Sequence, residues 1–190
     1  MGDELLLGIR ENAHLTYLGI QLAHHGIEPA ANLVIRDNPD DIHLFFSESW
    51  KRSDLIITTG GLGPTTDDLT RESIANALDE KLVFDVSVEQ AIQERFNSLY
   101  REMPENNLKQ CYRPENAEIL SNPYGTAPGL FLKKDGKILV MLPGPAREMH
   151  PMFEDQVVPR LQKEGIFPEI DCYLQILSLI HISEPTRPRL

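Results

Sequence analysis

Apolar residues recur at helical spacing through 14–25, where Leu15, Leu18, Gly19 and Leu22 share a face and Gly26 ends the run. Asn38-Pro39 opens a second helix, a capping side chain followed by a first-turn proline, with Ile42, Phe45 and Phe46 facing inward. Between them, Asn32 to Ile35 reads as a short strand. Leu55-Ile56-Ile57 is a β-branched run with turn signals on both sides, which suits a buried strand. The helical period returns from Leu69, with Ile74, Ala77 and Leu78 on one side, and again through Val88, Ile92, Phe96 and Leu99. Met103 to Gln110 predicts a short helix within an irregular segment. Leu130 to Lys133 and Lys137 to Leu142 flank Asp135-Gly136, a strong hairpin signal, and a Met/Phe/Val-rich helical stretch follows. Strands alternating with helices predict a layered α/β domain with a mostly parallel sheet.

Composition narrows what such a domain can do. At 190 residues with 41% apolar side chains, the chain is long enough to bury one real core. Its longest purely aliphatic stretch, Ile138 to Leu142, is far too short to span a bilayer. A net charge of −11 repels phosphate backbones, so neither nucleic acid nor a membrane is expected as a partner. A small anionic ligand remains open, provided backbone N–H groups or a metal supply local attraction. Cys111 and Cys172 lack CxxC spacing and read as ordinary thiols of a reducing compartment. With no charged-then-apolar leader, the expected location is cytoplasmic.

The candidate chemistry lies in residues 58–70, Thr-Thr-Gly-Gly-Leu-Gly-Pro-Thr-Thr-Asp-Asp-Leu-Thr. A glycine-rich loop between a strand and a helix is an anion cradle, because its N–H groups can approach a ligand and the helix start adds partial positive charge. In an open α/β sheet such loops gather at the carboxyl edge of the strands. No Gly-Lys-Ser/Thr follows Gly63, so the loop is not a Walker A motif. Pro64-Thr65-Thr66 stands where a dinucleotide fingerprint needs its third glycine. Asp67 and Asp68 begin the helix, where Thr66 or Asp67 could serve only as a cap. Two carboxylates facing a phosphate cradle repel the phosphate unless a cation lies between them, which suits a Mg²⁺-like ion. The residues therefore point to metal-assisted handling of a phosphate or pyrophosphate compound. The histidines show no HExxH-type pattern, and Trp50 and Phe45 read as core rather than as a base-stacking platform.

Four stretches in order carry a resemblance: Gly-Asp-Glu-Leu-Leu-Leu-Gly at 2–8, the 58–70 block, Gly-Thr-Ala-Pro-Gly at 125–129 and Leu-Pro-Gly-Pro-Ala-Arg-Glu-Met at 142–149. Together they resemble the N-terminal domain of CinA proteins (competence/damage-inducible protein A), related to the molybdopterin-binding domains of MogA, MoaB and MoeA. The resemblance covers residues 2 to about 168 and implies a three-layer αβα fold with its pocket at the carboxyl edge of the sheet. It implies divalent-metal-dependent (Mg, Mn or Co) hydrolysis of ADP-ribose or a similar nucleotide pyrophosphate. The alternative is a molybdopterin-binding domain, either non-catalytic or adenylyl-transferring. Carried over by position, Gly60, Gly61, Gly63, Thr65, Gly125 and Thr126 would contact phosphate or nucleotide. Asp68 would be the principal metal and catalytic carboxylate, with Asp67 supporting it. Asp3 and Glu4 would face the same edge, and Gly144 with Pro145 would wall it. The partner implied is a small nucleotide or pterin phosphate, and the full-length protein is expected to be a homo-oligomer.

Departures from the family pattern shape the remaining expectations. The family shows Asn-Thr-Asn where this chain has Asn12-Ala13-His14, and it has an apolar strand before Gly-Asp-Glu that this sequence lacks. Residues 177–187, Leu-Ser-Leu-Ile-His-Ile-Ser-Glu-Pro-Thr-Arg, resemble the conceptual translation of a sequencing-adapter end. The expected organisation is a domain over 1–168, the start of a truncated continuation over 169–176, and an artefactual tail over 177–190. A chain incomplete at both ends should be only marginally stable.

Overall fold

The computed structural model describes Leu6, Gly8 and residues 11–167. Helix α1 spans Ala13–His24, capped by Asn12, whose side chain accepts from Leu15 N–H; Gly26 closes it with φ +72°. Helix α2 spans Pro39–Arg52, and Asn38 caps it by accepting from Asp40 and Asp41 N–H. Strand β1, Leu55–Thr59, leads through the glycine loop into helix α3, Thr70–Ala77. Next come β2 (Leu82–Phe84), α4 (Val86–Ser98), a 3₁₀ segment (Glu105–Cys111), β3 (Tyr112–Pro114) and β4 (Ala117–Leu120). Strands β5 (Gly129–Lys134) and β6 (Lys137–Leu142) form the hairpin signalled by Asp135-Gly136, both of whose residues have positive φ, as a two-residue primed turn requires. Helix α5 (Ala146–Met152) passes through a π-type turn at Phe153–Val157 into α6 (Val158–Lys163). Pro151, which has no N–H to give the ladder, lies just before that irregularity.

The main sheet has the order β1-β6-β5-β4. Its centre is β6, paired in parallel with β1 (Ile57 opposite Val140) and antiparallel with β5 (Phe131 opposite Val140). Side chains of β6 alternate between two apolar layers. Ile138, Val140 and Leu142 pack with Met149, Met152, Phe153, Val157 and Leu161 beneath α1, α5 and α6. Leu139 and Met141 pack with Ile42, Phe46, Ile74 and Leu78 from α2 and α3. Helices on both faces of one sheet make the three-layer αβα arrangement, and burying both faces of β6 explains its unbroken apolar run. A smaller cluster of Val88, Ile92 and Cys111 packs α4 against the 3₁₀ segment beside the β2–β3 ribbon.

Several expectations need adjustment. Among the described residues the sheet is mixed rather than mostly parallel, because the tight hairpin forces β5 antiparallel to β6 and β4 antiparallel to β5. Asn32 to Ile35 forms no regular element and joins no strand among the described residues. Phe45 is exposed on α2 while Ile42 and Phe46 carry its buried face, and Leu99 at the end of α4 is exposed as well. Trp50 is partly buried against Phe46, as a core residue should be. Among the described residues no helix is long and apolar enough to cross a membrane. Asp3, Glu4 and the segments 169–176 and 177–190 lie outside the described residues.

Candidate functional site

The glycine loop leaves the carboxyl end of β1, and its first contact is with the strand beside it: Gly60 N–H donates to Leu142 O at 2.9 Å. Gly61 follows with φ +71°, and a Cβ there would sit 1.9 Å from Thr70 Oγ1. Only glycine fits, because the conformation and the close approach of α3 both exclude a side chain. Thr70 is fully buried under the turn and its N–H donates to Gly61 O at 3.2 Å. The loop then closes on itself. Asp68 Oδ2 accepts from Thr65 N–H at 2.9 Å and from Thr65 Oγ1 at 2.6 Å, with Gly63 packed against the carboxylate. Asp67 is exposed, and its Oδ1 accepts from Thr66 Oγ1 at 3.4 Å. Neither Thr66 nor Asp67 caps the helix, which starts later, at Thr70, behind Leu69 and without a side-chain cap; Asp68 closes the turn on Thr65 instead.

Two further loops reach the same edge. Gly144, leaving β6, lies with its Cβ direction 3.5 Å from Gly60 Cα, so the two turns touch. Pro145 is exposed at the start of α5, its carbonyl accepting from Glu148 and Met149 N–H. Glu148 is 6% exposed, and its Oε2 accepts from Asn122 Nδ2 at 2.8 Å. The same Asn122 amide donates to Ala127 O, which fixes the 122–127 turn. Gly125 packs so closely on Glu148 that a Cβ would lie 1.9 Å from Oε2. Thus Gly60 and Gly144 touch directly, while Gly125 packs on Glu148 of α5, the helix that follows Gly144, and Thr126 continues that last turn.

Sequence reasoning passed over three residues here. Glu148 stands inside the quoted 142–149 stretch, so its motif membership was visible but not its inward direction. Lys109 Nζ donates to Thr65 O at 3.0 Å and to Asp68 O at 2.5 Å, across a separation no local pattern reveals. His14 places Nδ1 3.2 Å from Thr59 Oγ1 at the end of β1, and burial holds its imidazole below the ordinary value. It occupies the segment where the chain departs from Asn-Thr-Asn.

Two cavities flank the loops. One of about 630 Å³ runs along the outer edge of β1 and is lined by His14, Leu15, Phe45, Ile57 and Thr59. The other, about 180 Å³, is lined by Gly125, Thr126, Ser87 and Ile92. The larger is mostly apolar, and neither lining includes Gly60, Gly61, Gly63 or Gly144. Among the described residues no three His, Cys, Asp or Glu side chains cluster as a metal cage. Asp67 and Asp68 supply two adjacent carboxylates, a donor set that suits a hard cation completing its shell with waters and phosphate oxygens.

Comparison with known proteins agrees with this architecture. The family described as "Probable molybdopterin binding domain" matches residues 1–163. A "CinA-like protein" of Kosmotoga olearia is 50% identical over 163 residues, which is 86% of this chain and 40% of that protein. The chain thus spans about 40% of the length of the curated relatives it matches. The crystal structure of CinA from Thermoplasma acidophilum, described as of unknown function, superposes with a TM-score of 0.77 at 30% identity, covering 87% of this chain and 94% of that one. MoaB from Thermus thermophilus shares the fold at a TM-score of 0.53 and 22% identity, over 85% of this chain and 87% of its own. The glycine loop after β1, the touching turn after β6 and these likenesses agree: this chain belongs to the molybdopterin-binding-domain family and is of the CinA type.

Proposed function

We propose that the domain hydrolyses the pyrophosphate bridge of a nucleotide such as ADP-ribose with the help of a divalent cation. The observation that supports it most is the contact of the turns at Gly60 and Gly144 at the sheet edge that the Gly125 turn also reaches, with Asp67 and Asp68 on the loop that leaves β1. In this reading the N–H groups of Gly61, Gly63 and Thr66 and of the Gly125-Thr126 turn bind the diphosphate oxygens, with Gly144 and Pro145 as the wall between them. Gly60 and Thr65 shape the loop, because their own N–H groups are taken by Leu142 O and Asp68 Oδ2. Asp68 keeps Oδ2 on Thr65 and offers Oδ1 to the cation, while exposed Asp67 adds a second oxygen donor. The cation, Mg²⁺, Mn²⁺ or Co²⁺, would neutralise charge on the diphosphate and make its phosphorus more electrophilic. Water adds to one phosphorus, the bridging P–O bond breaks, and ADP-ribose yields AMP and ribose 5-phosphate.

The family match favours a second reading, a domain that binds molybdopterin through the same turns, with or without adenylyl transfer. The full-length protein incubated with ADP-ribose and each metal separates the two. Metal-dependent AMP release supports the hydrolase. Tight molybdopterin binding with no release under any metal supports the binding module instead.

A further inference from the structure

A phosphate cradle requires more than glycines. Every peptide unit carries a carbonyl oxygen that repels an anion as strongly as its N–H attracts one, and the planar trans unit points the two in opposite directions. Something must turn the carbonyls away. In this molecule that something lies far along the chain. Lys109 Nζ donates to the carbonyls of Thr65 and Asp68, at 3.0 and 2.5 Å, and Gln110 Nε2 donates to Leu62 O at 3.4 Å. Drawing these three oxygens toward the 3₁₀ segment turns the next N–H groups, of Gly63, Thr66 and Leu69, to the opposite side. None of those three N–H groups has a hydrogen-bond partner among the described residues.

The 3₁₀ segment is itself held firmly. Asn107 Nδ2 donates to Gln110 Oε1 at 2.8 Å with both side chains buried, and Cys111 is fully buried against Val88 and Ile92. Cys111 O accepts from Asp85 N–H at 2.8 Å, which ties the segment to the start of α4. An ammonium group with two carbonyl partners on a rigid support is a stronger hold than a neutral donor, and it adds positive charge behind the loop.

We propose that Lys109, assisted by Gln110, is a positioning residue that presents the amide face of the 62–69 loop to a diphosphate. The proposal rests on the diphosphate reading of the site for its ligand, but the ordering of the loop is a property of the ligand-free protein. The two can therefore fail separately.

The test compares the wild-type chain with Lys109→Met, Lys109→Arg and Lys109→Gln by residue-resolved amide hydrogen exchange without ligand, then by binding of inorganic pyrophosphate with Mg²⁺. In Lys109→Met, exchange at the Thr65 amide should rise by about tenfold or more while Ile74, Leu78 and β6 keep their protection. Pyrophosphate affinity should fall by about tenfold, and Lys109→Arg should stay within about threefold of wild type on both measures. Thr65 exchange unchanged in Lys109→Met overturns the proposal. If that variant loses protection throughout, the Arg and Gln variants decide. Restoration by Arg and not by Gln supports positioning by a charged donor, and equal protection in both overturns it. Wild-type protein that ignores pyrophosphate contradicts the diphosphate reading, and the exchange comparison still decides the role of Lys109.

Discussion

Asp68 turns its carboxylate back onto Thr65, accepting from the N–H at 2.9 Å and from Oγ1 at 2.6 Å, so Oδ2 alone closes the loop and Oδ1 takes no part in that closure. Closure and catalysis can be separated because they use different properties of that side chain. Asp68→Asn keeps an oxygen that can accept from Thr65 and removes the charge. It should cost about 1 kcal/mol of stability and lower AMP release by about a hundredfold or more. Thr65→Val removes one donor and keeps the acid, so it should cost a similar ~1 kcal/mol and lower release by less than tenfold. Denaturation and turnover measured on the same preparations check the pair. Equal loss of activity in both would reduce Asp68 to a closing residue.

Gly61 and Gly19 make a contrasting pair for backbone effects. Gly61→Ala must hold an alanine at φ +71° with its Cβ driven into Thr70, and should cost about 1–3 kcal/mol. Gly19 lies in α1 with nothing within 4 Å of a Cβ, so Gly19→Ala should stabilise by about 0.5–1 kcal/mol. Urea midpoints report both signs.

Asp85 gives a pH dependence with a definite sign. Its Oδ1 accepts from Ser87 N–H and Oγ at the start of α4, and its Oδ2 accepts from Arg113 Nε at 2.7 Å. The Ser87 hydrogen bond, then the Arg113 guanidinium, lowers its pKa from 3.8 to about 2. A carboxyl held below its unfolded value stabilises the fold above pH ~4 and loses that contribution as pH falls toward ~2. The contribution is on the order of 1–2 kcal/mol. Asp85→Asn should therefore be less stable than wild type at pH 7, with the gap closing between about pH 4 and pH 2. A constant gap across that window would contradict the assignment.

The parts legible in the sequence were those written locally. Asn38-Pro39, Gly26 and Asp135-Gly136 are each short-range chemistry, and α2, the end of α1 and the β5–β6 hairpin appear where they indicate. The run 137–142 reads as the second strand of that hairpin, and β6 occupies those residues. What escaped was set by tertiary pairing. Strands β2 and β3 are three residues each and exist because they pair with each other, with Val83 opposite Arg113. Asn32 to Ile35 has strand composition but no partner among the described residues, so composition alone did not make it one. At the site, the glycines and aspartates were visible as a motif. Lys109 and Glu148 were not, because a side chain reaching a carbonyl 44 residues away, or one turning inward on Gly125, leaves no periodic trace.

The central claim is that the turns at 60–66, 125–126 and 144 together hold a diphosphate. Titrating the isotope-labelled full chain with ADP-ribose and Mg²⁺ while following backbone amide signals tests it most directly. The account predicts saturable shifts concentrated at Gly61, Gly63, Thr66, Gly125, Thr126 and Gly144, with Lys109 responding behind them. Shifts confined to the groove beside β1, at Leu15, Leu18 and Phe45, with the glycine turns silent, would contradict it.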